Sequence, residues 1–528
     1  MILRIASITA LLFCLVLYLP IVSVATPYIE LDFFRLATEI FSASEFTPAL
    51  ISTLVSTVGS LIIALLLSLL FMGSLLLTPS YQRFVRQLPL LLAIPHLAFA
   101  VGFYLLLSPK GWLERLVSAL GLSLESSVWV QDSYGLSLAL ALGIKESWFL
   151  CWMIWAQLQQ HGVEDQFLLA RTLGYKRAQI IWAILLPQLL PRLRWPLVAV
   201  TAYSLSSIEM AWVLGPTHPP TLALLAWNWL LDPAIEQRQL GLALTLILML
   251  LMLALSVFIC WLAELTKLGS PSGRRLNLSL GFSPWLLRTL LWGHLVMAGL
   301  LLLWAFTHSW FYPDLLPGRW SMRAWGTLEL MPLINTLSLA IVAALLAILL
   351  VLLVLELGFR RSNWMLLPLL LPVLPLVVGQ YHLTLWLGLT PGWSAVLIAH
   401  LLWVLPYVYL VLQPAYRRLS VEQLLTARTF GVRGTALFLR LKLPLLTRPI
   451  CAAFALGFSV SLAQYLPTIF IGAGRIETLT TETLTQFAGG DKRLLAVQTL
   501  LLLLVALSAY ILAQRLPQLI YPNRKAMH

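Results

Sequence analysis

Two short stretches of this chain carry the same residue types at the same spacing, and each could form a docking element for a partner. Acidic residues before each stretch favour a helix start, the glycine suits a turn with positive φ, and the proline interrupts or begins the next helix. We predict that the small alanine and glycine leave room for a partner surface and that the arginine contacts acidic groups or lipid phosphates. The residues are Ala170, Arg171, Thr172, Gly174 and Pro187, and then Ala427, Arg428, Thr429, Gly431 and Pro444.

Charged and polar side chains inside the apolar segments form a second group of candidate functional residues. A charge at mid-bilayer costs about 2.5–3.5 kcal/mol on insertion scales, so it is usually paired or functional. Two interpretations are open: an ion pair between Lys145 and Glu209 of neighbouring segments, or a solute pathway. His96 and His400 are expected to pack between helices or to lie at the membrane interface, because neither has a second ligand at metal-binding spacing. The pathway candidates are Lys145, Glu146, Ser207, Glu209, Gln380, Ser461 and Gln464.

The composition places the chain in a bilayer. Of its 528 residues, 60% are apolar and 10% are charged, and the mean hydropathy is +0.90. A hydrocarbon core of about 30 Å needs about 20 apolar residues as helix. We therefore predict an all-α membrane protein with about twelve transmembrane helices, near residues 5–25, 48–77, 88–107, 135–157, 193–215, 239–266, 285–307, 333–357, 364–387, 393–412, 448–471 and 493–514.

The basic residues indicate the orientation. The formal net charge is +13, but Lys and Arg fall mainly in alternate loops, as the positive-inside rule expects of cytoplasmic loops. The charge therefore does not indicate nucleic acid binding, and both repeated stretches and both termini are predicted to be cytoplasmic. Ser23 and Ala25 have the spacing of a signal-peptide cleavage site, which leaves open whether the first segment is removed. The later orientations do not depend on it.

The repeated stretches belong to a longer internal repeat. We predict two six-span halves of the same orientation, residues 1–270 and 271–528, facing each other across a pathway. The repeated loops lie at 164–190 and 421–447, and the Gly- and Ser-rich residues 269–273 link the halves. Matching residues of the two copies are 257 positions apart from the pair Ala170 and Ala427 to the pair Thr221-Leu222 and Thr478-Leu479. The separation is 277 positions where Pro95 and Gly102 match Pro372 and Gly379. It is 283 positions where Thr53 matches Thr336.

The repeated stretch resembles the EAA loop of permease subunits of binding-protein-dependent ABC importers. The family pattern is Glu-Ala-Ala, three residues, Gly, nine residues, and then Ile-x-Leu-Pro. Leucine stands in place of the glutamate in both copies. The resemblance extends over nearly the whole chain and is greatest to fused permeases of the ferric iron and thiamine type. The matching residues are Leu168-Leu169-Ala170, Gly174 and Ile184-Leu185-Leu186-Pro187, and then Leu425-Thr426-Ala427, Gly431 and Leu441-Lys442-Leu443-Pro444.

The resemblance implies a permease of the bacterial inner membrane. Residues 164–177 and 421–434 would be coupling helices that dock on two copies of a cytoplasmic ATP-binding subunit. An extracytoplasmic binding protein would deliver the solute, such as iron, thiamine or a related compound, which passes by alternating access. The chain would be no enzyme and would bind no cofactor, with ATP and Mg²⁺ on the partner subunit, since the sequence has no phosphate-binding loop motif. Membrane lipid is the remaining partner.

Other classes fit the sequence less well. A twelve-helix secondary transporter also has two parallel six-span halves, but residues 78–86 lack the Gly-Asp-Arg-Gly-Arg type of motif found between the second and third spans of major facilitators. A multispan enzyme would need acidic residues in a recognisable arrangement, and Asp32, Glu39 and Glu45 form none. No metal site or disulfide is expected, because the cysteines lie in apolar segments without metal-binding spacing: Cys14, Cys151, Cys260 and Cys451.

Overall fold

The computed structural model describes residues 2–24, 28, 32–122, 129–160, 163–268, 283–358 and 363–520. The predicted linker at 269–273 and Ala25 lie outside these ranges. The first part of the chain forms α1 (Ile2–Leu17), α2 (Leu19–Ser23), α3 (Phe33–Ser42), α4 (Phe46–Leu75), α5 (Pro79–Ala93), α6 (His96–Leu107), α7 (Trp112–Ala119), α8 (Leu136–Gln160), α9 (Val163–Thr172), α10 (Arg177–Ile180), α11 (Leu186–Ser206), α12 (Ile208–Leu214), α13 (Leu222–Leu230) and α14 (Ile235–Leu268).

The second part is built in a similar way, with a short antiparallel pair of strands, β1 (Thr307–Ser309) and β2 (Arg319–Trp320), after its first helix. A 3₁₀ helix covers Asn363–Leu370, and π-helical turns cover Ile181–Leu185 and Phe438–Lys442. The α-helices are α15 (Ser283–Ala305), α16 (Arg323–Gly326), α17 (Leu330–Glu356), α18 (Val373–Trp386), α19 (Trp393–Arg417), α20 (Val421–Thr429), α21 (Gly434–Leu437), α22 (Leu443–Leu445), α23 (Thr447–Leu462), α24 (Leu466–Gly472), α25 (Leu479–Gly489) and α26 (Lys492–Ile520).

The long helices match the apolar segments of the sequence. Within the described residues, eight helices are long and apolar enough to cross a membrane, and the number rises to twelve if each of four bent helix pairs counts as one span. Helices suit this solvent because all their backbone bonds lie within one segment. The prediction of an all-α membrane protein is confirmed.

The structure bends or breaks four of the predicted spans. The axis turns by 91° between α5 and α6, by 55° between α11 and α12 and by 116° before α18, and the span predicted near 448–471 is broken because α23 ends at Leu462 and α24 begins at Leu466. A further turn of 75° lies before α23, outside that predicted span. Proline explains the two largest bends. Pro95 and Pro372 precede α6 and α18 with extended ψ angles of 144° and 142°. Each removes a backbone donor and disfavours a helical conformation in the residue before it.

The first helices of each predicted half pack against helices of the other half. α1 and α2 pack against α17 and α18, whereas α15 packs against α4 and α6. Glycine permits both contacts, since a Cβ at Gly102 would lie 2.9 Å from the Cβ of Met297, and one at Gly379 would lie 2.7 Å from the carbonyl oxygen of Pro20. The recurring Pro and Gly therefore have separate roles: the proline breaks the span, and the glycine admits the crossing helix.

One hydrogen bond occurs in the same form in both parts of the chain. The buried hydroxyl of Thr53 on α4 accepts a hydrogen bond of 2.8 Å from the backbone N–H of Leu222, at the start of α13. The buried hydroxyl of Thr336 on α17 accepts one of 2.8 Å from Leu479, at the start of α25. Each hydroxyl satisfies one of the N–H groups that a helix start leaves unpaired. These four residues recur in the sequence, although the division into two halves stays a prediction.

We expect Thr53→Val and Thr336→Val each to destabilise the protein by about 1–3 kcal/mol, because each leaves a buried N–H without an acceptor. The thermal unfolding midpoint of the purified protein in detergent measures the effect. Thr57→Val is the control: Thr57 lies one turn along α4, is fully buried, and its hydroxyl has no hydrogen-bond partner among the described residues. A loss at Thr57→Val as large as at Thr53→Val would contradict the role of the hydrogen bond.

Candidate functional site

The two repeated loops fold alike. After the short helices α9 and α20, the glycine adopts a positive φ, and the N–H of the next residue reaches back to the carbonyl of the repeated alanine. This pattern closes a helix C-terminus and requires a residue that tolerates left-handed backbone. The donor and acceptor are 3.0 Å apart in both loops, from Tyr175 to Ala170 and from Val432 to Ala427, and the φ angles are 84° at Gly174 and 79° at Gly431.

Each loop presents an open surface with apolar side chains. Leu173 is 68% exposed and Phe430, at the same repeat position, is 81% exposed. A Cβ at either glycine would meet nothing within 4 Å. We call these surfaces the loop faces, made of Leu168, Leu173 and Gly174 in the first copy and of Leu425, Phe430 and Gly431 in the second. The arginines and threonines of the repeat are also exposed: Arg171, Thr172, Arg428 and Thr429.

The alanines of the repeat do not belong to the loop faces. Ala170 is buried and Ala427 is half-buried. This corrects the expectation that alanine leaves room for a partner, because in the first loop the alanine faces the protein interior. The glycines provide the open space. Pro187 and Pro444 lie at the starts of α11 and α22, each directly after a π-helical turn.

The first loop is fastened to the end of a long helix. A guanidinium nitrogen of Arg177 donates to the carbonyl oxygens of Ser74, at 2.6 Å, and Leu76, at 3.1 Å. These carbonyls belong to the C-terminal end of α4, which attracts positive charge. The same guanidinium lies 5.7 Å from the ring centre of Phe167 on α9. Arg177 thus connects the first loop to α4.

The second loop is fastened by a buried ion pair instead. The ammonium of Lys442, in the π-helical turn, lies 2.8 Å and 2.6 Å from the two carboxylate oxygens of Glu356 at the end of α17. It also donates to the hydroxyl of Tyr416 on α19, 2.8 Å away, and Tyr416 in turn donates to Glu356. The Lys442 and Glu356 side chains are 11% and 18% exposed, so the pair is largely shielded from solvent.

A cavity of about 220 Å³, which we call the central cavity, lies where the two parts of the chain meet. Helices α8, α11 and α12 and the break between α5 and α6 form one wall, and α19, α23 and α24 contribute to the other. The structure brings five of the seven pathway candidates to its lining: Lys145, Glu146, Ser207, Glu209 and Gln464.

Lys145 and Glu146 act on the two sides of the break between α5 and α6. The ammonium of Lys145 donates to the carbonyl oxygens of Leu91, at 3.1 Å, and Leu92, at 3.4 Å, near the end of α5. Glu146 Oε1 lies 2.8 Å from Nε2 of His96, the first residue of α6. Positive charge thus meets a helix C-terminus and negative charge a helix N-terminus, as the helix dipoles favour.

These contacts correct two expectations. Lys145 forms no ion pair with Glu209 within the described residues, because its ammonium is directed at the end of α5. His96 does more than pack between helices, since it pairs with Glu146 and lines the central cavity. His400 behaves as expected, and its two ring nitrogens lie 2.8 Å and 2.9 Å from the hydroxyls of Ser461 and Thr468.

Two pathway candidates lie away from the central cavity. Ser461 is engaged with His400, as described above. Gln380 is buried, and its amide nitrogen donates to the carbonyl oxygen of Ala399 at 3.1 Å. Both side chains are tied to neighbouring helices of the second part of the chain, so they bridge helices there and do not line the cavity.

The sequence analysis missed the aromatic part of the lining. Tyr203 lies with its ring centre 4.4 Å from that of His96, and Trp403 and Tyr407 of α19 also line the cavity. Aromatic residues are common in membrane segments, so their types alone gave no signal. The position of Trp403 could have indicated it, because Trp403 lies 257 residues after Glu146, the same separation as between the two repeated loops.

These features define a class. Within the described residues the chain has eight to twelve candidate spans, a cavity with charged side chains in its lining where its two parts meet, and two similar exposed loops; together they describe a multi-pass membrane permease. No protein-family model matches the chain. It is 37% identical over 504 residues to the inner membrane ABC transporter permease protein YnjC of Escherichia coli (strain K12), covering 94% of this chain and 93% of that protein. The chain belongs to the ABC transporter permeases of the inner membrane, proteins that work with ATPase partner subunits and are not themselves the ATPase.

We expect Lys145→Met to destabilise the protein by about 1–3 kcal/mol, because it leaves the carbonyls at the end of α5 without their donor at a buried position. Thermal unfolding in detergent is the measurement. Lys176→Met, at an exposed residue outside the central cavity, is the control and should change the midpoint little. An unchanged midpoint for Lys145→Met would contradict its role at the break.

We expect Lys442→Met to cost about 3–5 kcal/mol, because it leaves the largely buried carboxylate of Glu356 without its cation. The double variant Lys442→Met with Glu356→Met should regain most of the stability. Arg194→Met is the control, since it breaks an exposed ion pair with Glu264 and should cost less than about 1 kcal/mol. Equal unfolding midpoints for the Lys442 and Arg194 variants would show that burial does not matter here.

Proposed function

We propose that this chain is the transmembrane subunit of an ATP-driven importer and that its two loop faces dock on two copies of a cytoplasmic ATP-binding subunit. The observation that carries the proposal is the pair of loop faces. Two short helices end in the same closed turn, and at matching positions each exposes a large apolar side chain beside an open glycine. Exposed apolar surface of this kind is typical of protein interfaces.

The fastening of the loops supports a coupling role. Arg177 connects the first loop to α4, and Lys442 connects the second to α17 and α19. A displacement of either loop by a closing ATPase would therefore be passed to long helices of the bundle. In this proposal ATP and Mg²⁺ bind to the partner subunits, the chain itself holds no cofactor, and both termini are cytoplasmic.

The central cavity supports transport by alternating access. It lies where the two predicted halves, 1–270 and 271–528, meet, so a change in their relative tilt would open it toward one side or the other. An extracytoplasmic binding protein would deliver the solute, which allows the cavity to bind it only weakly. The group of fused permeases for iron, thiamine or a related solute, in which one chain carries both halves by duplication, is the form of importer that we propose.

The loop faces can be tested with the double variant Gly174→Asp and Gly431→Asp. A Cβ at either glycine meets no atom of this chain, and Asp tolerates left-handed backbone better than most residues, so the fold should persist. A charged side chain on each loop face should weaken docking of the ATPase. We expect the ATPase that co-purifies from the native membrane to be lost, or its activity to become independent of the solute.

The control is the double variant Gly121→Asp and Gly388→Asp. These glycines also have positive φ angles, 75° and 63°, and open space around the Cβ position, but they lie outside the repeated loops. The control should keep the co-purified ATPase. If the unmodified protein carries no nucleotide-hydrolysing partner and the loop variant still transports, the proposal that the loop faces dock on an ATPase and drive import fails.

A further inference from the structure

The central cavity contains one carboxylate that the fold does not use. Glu146 is paired with His96, and Lys145 is bound to backbone carbonyls. Glu209, in the first turn of α12, lines the same cavity. Its carboxylate contacts its own backbone N–H, but it forms no ion pair with another described residue. A charge in a membrane protein without a structural partner is a candidate for binding a solute.

The charge of the cavity favours a cation. The lining contains two acidic residues, Glu146 and Glu209, and one basic residue of the Lys or Arg type, Lys145, with His96 beside Glu146. The ammonium of Lys145 is directed at the end of α5. Among the described residues, Glu209 is the acidic residue of this lining that forms no ion pair with a basic side chain.

Aromatic side chains line the same cavity as the acidic residues. They are Trp403 and Tyr407 of α19 and Tyr203 of α11. Aromatic rings attract organic cations through their negative faces, and a nearby carboxylate strengthens the attraction. The acidic residues come from the first part of the chain and Trp403 and Tyr407 from the second, so a solute between them would contact both.

The chemistry does not suit a bare metal ion. Within the described residues no group of three or more His, Cys, Asp or Glu side chains could hold a metal. Hard metal cations take several oxygen ligands, and Glu209 is a single uncommitted carboxylate. The cavity, at about 220 Å³, is smaller than pockets for drug-sized ligands, which hold about 300–1,000 Å³. A small solute is therefore indicated.

We propose that Glu209, with Trp403 and Tyr407, forms a transient binding site for a small organic cation of the ammonium type. The inference rests on the proposed function and names the class of solute that passes through it. The carboxylate supplies the counter-charge, and the aromatic rings replace part of the cation's hydration shell. Since both walls contribute, the site exists only while the two parts of the chain are close together.

The test compares two probes of the same shape, choline and its neutral carbon analogue 3,3-dimethyl-1-butanol. The full complex from the native membrane is placed in nanodiscs of phosphatidylethanolamine and phosphatidylglycerol, which contain no choline headgroups, and binding is followed by saturation-transfer NMR. We expect choline to bind and the neutral analogue not to bind. Glu209→Gln should weaken choline binding by about tenfold or more, because the counter-charge is removed. Trp403→Leu should weaken it by about two- to fivefold.

Glu264→Gln is the matched control, since Glu264 pairs with Arg194 away from the cavity, and it should bind choline as the unmodified protein does. Equal binding of the two probes, or unchanged choline binding by Glu209→Gln in a sample with a normal unfolding midpoint, would overturn the site. ATPase activity is measured on the same samples. If the unmodified complex has no ATPase activity, the importer proposal is contradicted and the cation site is not affected. The comparison of choline with its neutral analogue decides the cation site.

Discussion

A broken helix inside a bilayer leaves polar backbone ends that no water can satisfy, and the centre of this protein is organised around that constraint. At the break between α5 and α6, Lys145 reaches the carbonyls of Leu91 and Leu92. At the break before α18, the hydroxyl of Ser206 accepts from the N–H of Val373 at 3.1 Å. Both partners line the central cavity. The cavity has charged and hydroxyl groups in its lining partly because the side chains that bind the broken helix ends must lie beside the breaks.

The two breaks are stabilised by different parts of the chain, and the second of these contacts connects the two parts. The first break is repaired from within its own part, by Lys145 and Glu146 of α8. The second receives Ser206 from α11, which belongs to the other part. A tilt of α11 relative to α18 would therefore break a partly buried hydrogen bond, whereas α8 could move together with α5 and α6. The contact between Ser206 and Val373 is thus a point at which relative motion of the two parts has an energetic consequence.

The sequence predicts the fold class well, because the length of apolar segments follows directly from the thickness of the bilayer. It also predicts the closed turns at Gly174 and Gly431, since few residues other than glycine adopt positive φ. It does not predict the large bends, because proline in a membrane helix is compatible with a mild kink as well as a full break. The sequence also could not predict the partners of Lys145, because every residue has a backbone carbonyl and residue type does not show which one accepts a hydrogen bond. For Gln380 and Ser461, residue type indicated polarity but not the direction of the side chain.

The charged residues described above are divided unequally between the two parts of the chain. At the repeat offset of 257 residues, Lys145 and Glu146 correspond to Leu402 and Trp403, and Glu209 corresponds to Leu466. Near the second loop the charged residue belongs to the second part of the chain and the apolar one to the first, since Lys442 of the buried ion pair corresponds to Leu185. A symmetric pair of halves would present the same groups to a solute twice. Here the charged residues of the cavity come from the first part of the chain and Trp403 and Tyr407 from the second, so the cavity offers one composite site, which favours one solute bound across the interface over two bound side by side.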